Sequence, residues 1–442
     1  MWHGNRNTRT IAGMKPTSFN ELNLPESLMQ GINDLGFTTL TDVQQIALPL
    51  TLAGKDVAGQ GRTGTGKTAT FLITIINRLL SSPPKEGRGL EHPRAIIIAP
   101  TRELVLQIAN DAKALAKHTG LKLHLVFGGV DYEKQRKDFE LGVDILIGTP
   151  GRLIDYLKKH VYSLKKAEML VIDEADRMFD LGFIKDLRFM LHRLPKYNER
   201  QSLLFSATLS HRVLELAYEH MNNPEKLRAE EGDITASGVV ESVYHTGMDE
   251  KLPLLVHLLR QSSVERGMIF INEKRTGERV ARNLARYGFS VGILSGDVRQ
   301  AKRMRILQDF GNGKLQLLVA TDVASRGLHV DGVTHVFNYD LPEDAENYVH
   351  RIGRTARAGA TGTAISFSCE RFCFGMPDIE AYINHSIPLK HIEPSMLDIG
   401  KPTHPDATAE GLGKEDRAQP PGGGMGRGAK PGNSGRRRPA RR

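Results

Sequence analysis

At 442 residues, 40% hydrophobic and 25% charged, the chain has the composition of a globular protein and the length of two or three domains. No apolar run approaches the roughly 18 residues that cross a bilayer, and residues 1–16 lack the apolar core of a secretory signal, so they read as a flexible arm, with Met14 as an alternative start. Two cysteines, Cys369 and Cys373, cannot furnish a four-ligand zinc site and read as half-buried free thiols of a reduced, cytoplasmic protein.

In chain order, the first patterned chemistry is a short apolar lead-in at 56–59, then Gly61-Arg-Thr-Gly-Thr-Gly-Lys-Thr68, then an amphipathic run over 68–80. Strand, glycine-rich loop and helix in that order form a phosphate cradle: the loop N–H groups converge on a triphosphate at the helix N-terminus. Gly61, Arg62, Thr63, Gly64, Thr65, Gly66, Lys67 and Thr68 are therefore nucleotide-binding candidates. Lys67 would reach the β- and γ-phosphates and Thr68 would ligate Mg²⁺. The starting hypothesis is an enzyme that uses ATP or GTP.

From residue 94 the pattern alternates. Buried strands are expected at 94–99, 123–127, 145–148, 169–172 and 202–205, with helices between them, the first over 103–116. Short apolar strands alternating with amphipathic helices predict a doubly wound parallel sheet, whose ligand sites lie at the C-terminal strand ends. Residues 228–240 break the rhythm and read as a linker. Strands then resume at 268–271, 291–294, 317–320 and 333–337, with helices starting near Glu273 and Gln300. The fold class is thus α/β, with two parallel-sheet domains in tandem over 48–227 and 241–400. Residues 401–442 are Gly-, Pro- and Arg-rich at their end and read as a disordered basic tail. The net charge of +9 sits in the ends: +3 in residues 1–18 and +6 in the tail, leaving the 382 residues between neutral. Such a tail is either solvated or an arm for phosphate backbones.

Two constellations complete the first loop. Asp173-Glu-Ala-Asp176 follows an apolar strand, where one carboxylate can hold Mg²⁺ and its neighbour can orient an attacking water; Asp173 is assigned to the metal and Glu174 to the water. The second domain supplies His350-Arg-Ile-Gly-Arg354-Thr-Ala-Arg357. Guanidinium groups stabilise charge on a transferring phosphoryl group, and the first domain has no arginine cluster of its own near Asp173. Arg354 and Arg357 are the catalytic candidates.

These motifs, with Phe19, the 36–44 segment ending in Gln44, Pro100-Thr-Arg-Glu-Leu104, Gly128-Gly129, Thr149-Pro-Gly-Arg152, Ser206-Ala-Thr208, Gln300-x-x-Arg303 and Ala320-Thr-Asp-Val-Ala-Ser-Arg-Gly327, resemble the DEAD-box ATP-dependent RNA helicases over about residues 17–395. The resemblance implies two RecA-like domains with ATP, Mg²⁺ and RNA bound across their cleft. Within residues 17–47 it implies that Phe19 stacks on adenine and Gln44 reads its edge, favouring ATP over GTP. It implies sequence-independent RNA-backbone contacts from Pro100, Thr101, Arg102, Gly129, Gly151, Arg152, Gln300, Arg303 and Thr321, and links between hydrolysis and the domain interface through Ser206, Thr208, Asp176 and His350. Leu40 stands where the family has proline. His329 stands where it has a ribose-binding aspartate, so His329 is placed near ATP with an imidazole in place of a fixed charge. Segments 47–56, 178–186 and 385–388 look most like the bacterial RhlB type, with the RhlE type as the rival. The RhlB resemblance implies work with an RNase E-type endonuclease in the RNA degradosome. Strand separation of short duplexes, an ATP-gated RNA clamp or remodeller, and a DNA-directed motor all share these motifs.

Overall fold

The computed structural model describes residues 18–61, 65–228, 238–262, 264–325, 330, 332–356 and 361–412. Arg62, Thr63, Gly64, His329 and Arg357 lie outside the described residues, as do residues 1–17 and 413–442. Among the described residues no helix is long and apolar enough to cross a membrane.

Two seven-stranded, all-parallel sheets organise the chain. The first contains β1 (Val57–Gln60), β2 (Ala95–Ile98), β3 (Leu123–Val126), β4 (Ile145–Gly148), β5 (Met169–Ile172), β6 (Gln201–Ser206) and β7 (Glu225–Arg228), in the order β3-β4-β2-β5-β6-β1-β7. The second contains β8 (Val239–His245), β9 (Gly267–Phe270), β10 (Val291–Leu294), β11 (Leu317–Ala320), β12 (His335–Asn338), β13 (Gly362–Ser368) and β14 (Leu389–Lys390), in the order β10-β11-β9-β12-β13-β8-β14. The second order is the first shifted by seven strands, so the two halves are topological copies. Helices cover both faces, which is why the inner strands read as continuous apolar runs: all four residues of β2, β4, β5, β9 and β11 are buried.

Several polar residues act by starting helices where the site needs them. Thr41 and Gln44 form a capping box on the helix Asp42–Leu52. Thr101 caps Arg102–Leu115 and Asp344 caps Ala345–Ile352, each accepting a backbone N–H of the first turn.

Two boundaries differ from the sequence reading. The segment read as a linker, 228–240, contains the last residue of β7 and the first two of β8. β8 lies between β13 and β14 but carries Glu241, Ser242, Tyr244 and His245, so its polarity hid it. The tail, expected to be disordered from 401, is held as far as Gly411. Glu410 donates its N–H to the Val291 carbonyl (2.9 Å) and accepts from the Ile293 N–H (2.8 Å), the His404 N–H bonds the Arg286 carbonyl (2.8 Å), and Ala409 is buried. This strap satisfies the otherwise open edge of β10 with backbone bonds that composition does not reveal. Cys369 is buried and Cys373 half-buried, and both are free thiols.

Candidate functional site

The phosphate loop leaves β1 and enters the helix Lys67–Ser81. The Gly61 N–H bonds the Ser206 carbonyl at 3.0 Å, pinning the loop's start to the end of β6. Lys67 is buried and donates to the Gly61 carbonyl, while Thr68, one residue on, is half-buried. The 36–44 segment closes over the loop from the other side: the Thr41 hydroxyl donates to the Thr65 carbonyl (2.8 Å) and the Gln44 amide to the Gly66 carbonyl (3.3 Å). Gly66 is required here, since its φ is +89° and a Cβ would stand 2.7 Å from both Gln44 Nε2 and Thr41 Oγ1.

Phe19 is placed differently from its assignment. It is buried in the core of the first domain and stacks on Phe37, with ring centroids 6.2 Å apart and planes 22° apart. Phe19 offers almost no open face to a base; its neighbour Phe37 is the partly exposed ring of the pair.

At the end of β5 sit the carboxylates. Asp173 is buried, and its pKa is pushed up to about 6 by the loss of water around it, opposed by the Lys67 charge and raised further by Glu174. One of its oxygens accepts the Glu174 N–H at 3.0 Å. Glu174 is held in the left-handed region, φ 52° and ψ 53°, an uncommon state for glutamate that turns the chain sharply out of the strand. Its carboxylate meets buried Arg177 at 3.3 Å. Asp176 faces the other way. Its Oδ2 accepts the N–H groups of Ala207 and Thr208, each at 3.1 Å, and its own N–H goes to Ser206 Oγ at 3.1 Å. Asp176, Ser206 and Thr208 are thus one hydrogen-bonded unit.

The second domain completes a cavity lined by Arg177, Asp322, Asn347, His350 and Arg354. Arg354 is buried and donates to the His350 carbonyl at 3.1 Å. Arg351 lines the same cavity, but its guanidinium is engaged: it grips both Asp322 oxygens at 2.7 and 2.6 Å and is 1% exposed.

A second group of side chains lies at the ends of β2, β3 and β4. Pro100 is buried, Thr101 and Arg102 half-buried. The Arg102 guanidinium lies across Gly128 and Gly129; a Cβ on Gly129 would come within 2.2 Å of it. Gly151 is open, and Arg152 packs over the rings of Tyr132 and Tyr156 at 5.2 and 5.7 Å while reaching Gln135 at 3.4 Å. From the other domain, Gln300 and Arg303 both bond Glu103, the first at 3.2 Å, and Arg303 also reaches the Ala324 carbonyl, near Thr321. Thr321 itself accepts the Ala324 N–H at 3.3 Å. Glu103 had no role in the sequence reading, yet it joins the two groups of candidate RNA contacts. Its signal was a lone acid between Arg102 and an apolar run.

A family model described as DEAD/DEAH box helicase matches residues 41–216, and one described as helicase conserved C-terminal domain matches residues 250–359. The chain is 56% identical over 402 residues to the ATP-dependent RNA helicase RhlB of Xanthomonas campestris pv. campestris, covering 91% of this chain and 70% of that one. To the ATP-dependent RNA helicase RhlB of Shewanella sediminis it is 51% identical, covering 86% of this chain and 87% of that one. The chain belongs to the DEAD-box ATP-dependent RNA helicases, of the RhlB type. As such this helicase is an ATP-hydrolysing enzyme that acts on RNA. A solved structure, S. cerevisiae Dbp5 bound to RNA and ADP BeF3, superposes with a TM-score of 0.75 at 30% identity, over 85% of this chain and 95% of that one. The two seven-stranded sheets are therefore the tandem RecA-like domains of a DEAD-box helicase.

Proposed function

We propose that the helicase binds ATP between the phosphate loop and the Arg354 segment, binds RNA on the Arg102–Arg152 and Gln300–Arg303 groups, and separates short duplexes locally each time the two domains close. The observation that carries this reading is the composite cavity: Arg177, beside Glu174 of the first domain, and His350 and Arg354 of the second line the same space. Dbp5, at 30% identity, is bound to RNA and ADP BeF3, which supports the same two ligands here.

On this reading Lys67 leaves the Gly61 carbonyl for the β- and γ-phosphates. Gln44 senses nucleotide through an amide already tied to the loop, with Phe37 beside Phe19 as the ring nearest the surface. The residues fit Mg²⁺: Asp173 is a buried carboxylate only partly compensated by Lys67, and it keeps one oxygen beyond the Glu174 bond. An ion held there would take this carboxylate, the Thr68 hydroxyl and substrate phosphates. Mg²⁺ bound there supplies neutralisation of charge on the phosphates. Glu174 orients the attacking water, and Arg354 with Arg357 stabilises charge on the transferring phosphoryl group; His329 is assigned to the ribose. Asp176, holding the Ser206–Thr208 loop by three bonds, passes the state of the carboxylate turn to the interface. RNA contacts go to phosphate and 2′-hydroxyl groups and carry little sequence preference.

From the resemblance carried by the sequence motifs we further propose a cytoplasmic helicase that assists an RNase E-type endonuclease in RNA decay, with the basic tail as an added RNA arm. A strand-displacement assay tests the function: a short RNA duplex with a single-stranded overhang should separate with ATP, and a long one poorly. Normal RNA-stimulated ATPase with no displacement at any enzyme concentration would favour an ATP-gated clamp instead.

A further inference from the structure

Beneath the arginine-bearing segment lies a buried charge network in which Arg351 and Asp322, from the motifs above, are joined to Lys251, Asp340 and Asn272, which belong to none of them. Lys251 opens the helix Lys251–Gln261 and is fully buried, with its ammonium 2.9 Å from Asp340 Oδ1 and 5.2 and 5.0 Å from the ring centres of Tyr339 and Phe372. A cation in the first turn opposes the helix dipole, so the position is set by its partner and not by the helix. Asp340, just past β12, uses its second oxygen to accept the Asn272 N–H at 3.0 Å. Asn272, just past β9, then accepts from Arg351 at 2.8 Å and donates to the Leu341 carbonyl at 2.8 Å. Arg351 closes the circuit: it also donates to the Asp340 carbonyl at 2.5 Å and grips Asp322, just past β11. Two cations and two anions thus fasten together three strand ends and the helix Ala345–Ile352; His350 on that helix and Arg354, just past its end, line the interdomain cavity.

We propose that Lys251 and Asp340 are positioning residues for ATP hydrolysis: they set Asn272 and Arg351, and through them hold Arg354 at the distance from the second sheet that the closed site needs. The proposal rests on the reading of Arg354 as a phosphoryl-stabilising group. A buried ion pair of purely structural value would lower stability when broken but leave the rate per folded molecule untouched.

The test compares wild type, Lys251→Met, Lys251→Met/Asp340→Asn and Arg354→Ala in steady-state ATPase with saturating single-stranded RNA, with thermal midpoints and the folded fraction measured alongside. Lys251→Met keeps the stem but strands the Asp340 carboxylate beside Arg351, which is expected to shift toward it. The kcat per folded molecule should fall roughly tenfold while KM for ATP moves less than about twofold, since the phosphate loop lies in the other domain. Lys251→Met/Asp340→Asn removes the stranded charge and keeps an oxygen for the Asn272 N–H, so kcat should return to within about threefold of wild type. If Lys251→Met does not fold, Asp340→Asn alone carries the same readouts and the same expected fall in kcat. A change confined to the thermal midpoint, with kcat per folded molecule at the wild-type value, overturns the proposal. Arg354→Ala separates the two levels: an unchanged kcat there refutes the arginine reading itself, whereas a fall there with no fall in Lys251→Met refutes only the positioning role.

Discussion

The most exposed consequence of the site geometry is that Asp173 should destabilise the protein that needs it. Burial raises its pKa from 3.8 to about 6. A carboxylate whose pKa rises on folding costs nothing below its unfolded value. The cost then grows as pH climbs toward the folded value and is complete above it. A shift of about two units corresponds to about 3 kcal/mol at pH 7.5 and, by the same linkage, about 1 kcal/mol at pH 4.5. Asp173→Asn removes the charge and keeps an oxygen for the Glu174 N–H, so in the absence of nucleotide and Mg²⁺ the variant should be more stable than wild type by up to that amount. For a domain of this size that is an upward shift of roughly 6–12 °C in the first domain's transition at pH 7.5, shrinking to a third of that at pH 4.5. Scanning calorimetry is the suitable assay, because the single tryptophan, Trp2, precedes both domains in the chain and is a poor reporter of their cores. The same variant should lose ATP hydrolysis. A variant no more stable than wild type at pH 7.5, or a gap of equal size at both pH values, refutes the claim that a buried charge is being held ready for a cation.

Two further substitutions probe the loop and the turn beside it. Gly66→Ala forces a left-handed alanine, costing roughly 1–2 kcal/mol, and drives a methyl into Gln44 and Thr41; binding of a fluorescent ATP analogue should weaken about tenfold or more while nucleotide-free RNA binding stays unchanged, and unaltered nucleotide affinity would dissociate Gln44 from the loop. Glu174→Gln should keep ATP and RNA binding but slow single-turnover hydrolysis by about 100-fold or more, and retained turnover would remove Glu174 from water activation.

What the sequence made legible was whatever depends on local pattern. Inner strands such as β2 and β5 are apolar on both faces, so their runs stand out, and the loop and carboxylate turn follow them at fixed offsets. β8 was hidden because Glu241 is a buried acid paired with Tyr348 and His385, at 2.6 and 3.1 Å, residues over 100 positions away. The strap to Gly411 was hidden because its bonds come from the backbone. Arg354 and Arg357 read as finger residues, and nothing in the local pattern showed that Arg351, which lines the same cavity, is fastened by the partners that β9, β11 and β12 bring. Phe19 was assigned to adenine by resemblance, and its packing against Phe37 inside the first core is a contact that no local pattern announces. In each case the missing information is a long-range partner.

The central claim is that one site is shared between two domains and completed only when both ligands are present. Its most direct test is a binding cycle: the affinity for a non-hydrolysable ATP analogue measured with and without single-stranded RNA, and the affinity for RNA measured with and without the analogue. A closed state stabilised by both ligands requires that RNA tighten the analogue by the same factor as the analogue tightens RNA, with matched DNA giving a smaller factor. Affinities that do not respond to the other ligand would mean that the phosphate loop and the RNA-directed groups work as separate sites, and would contradict the account.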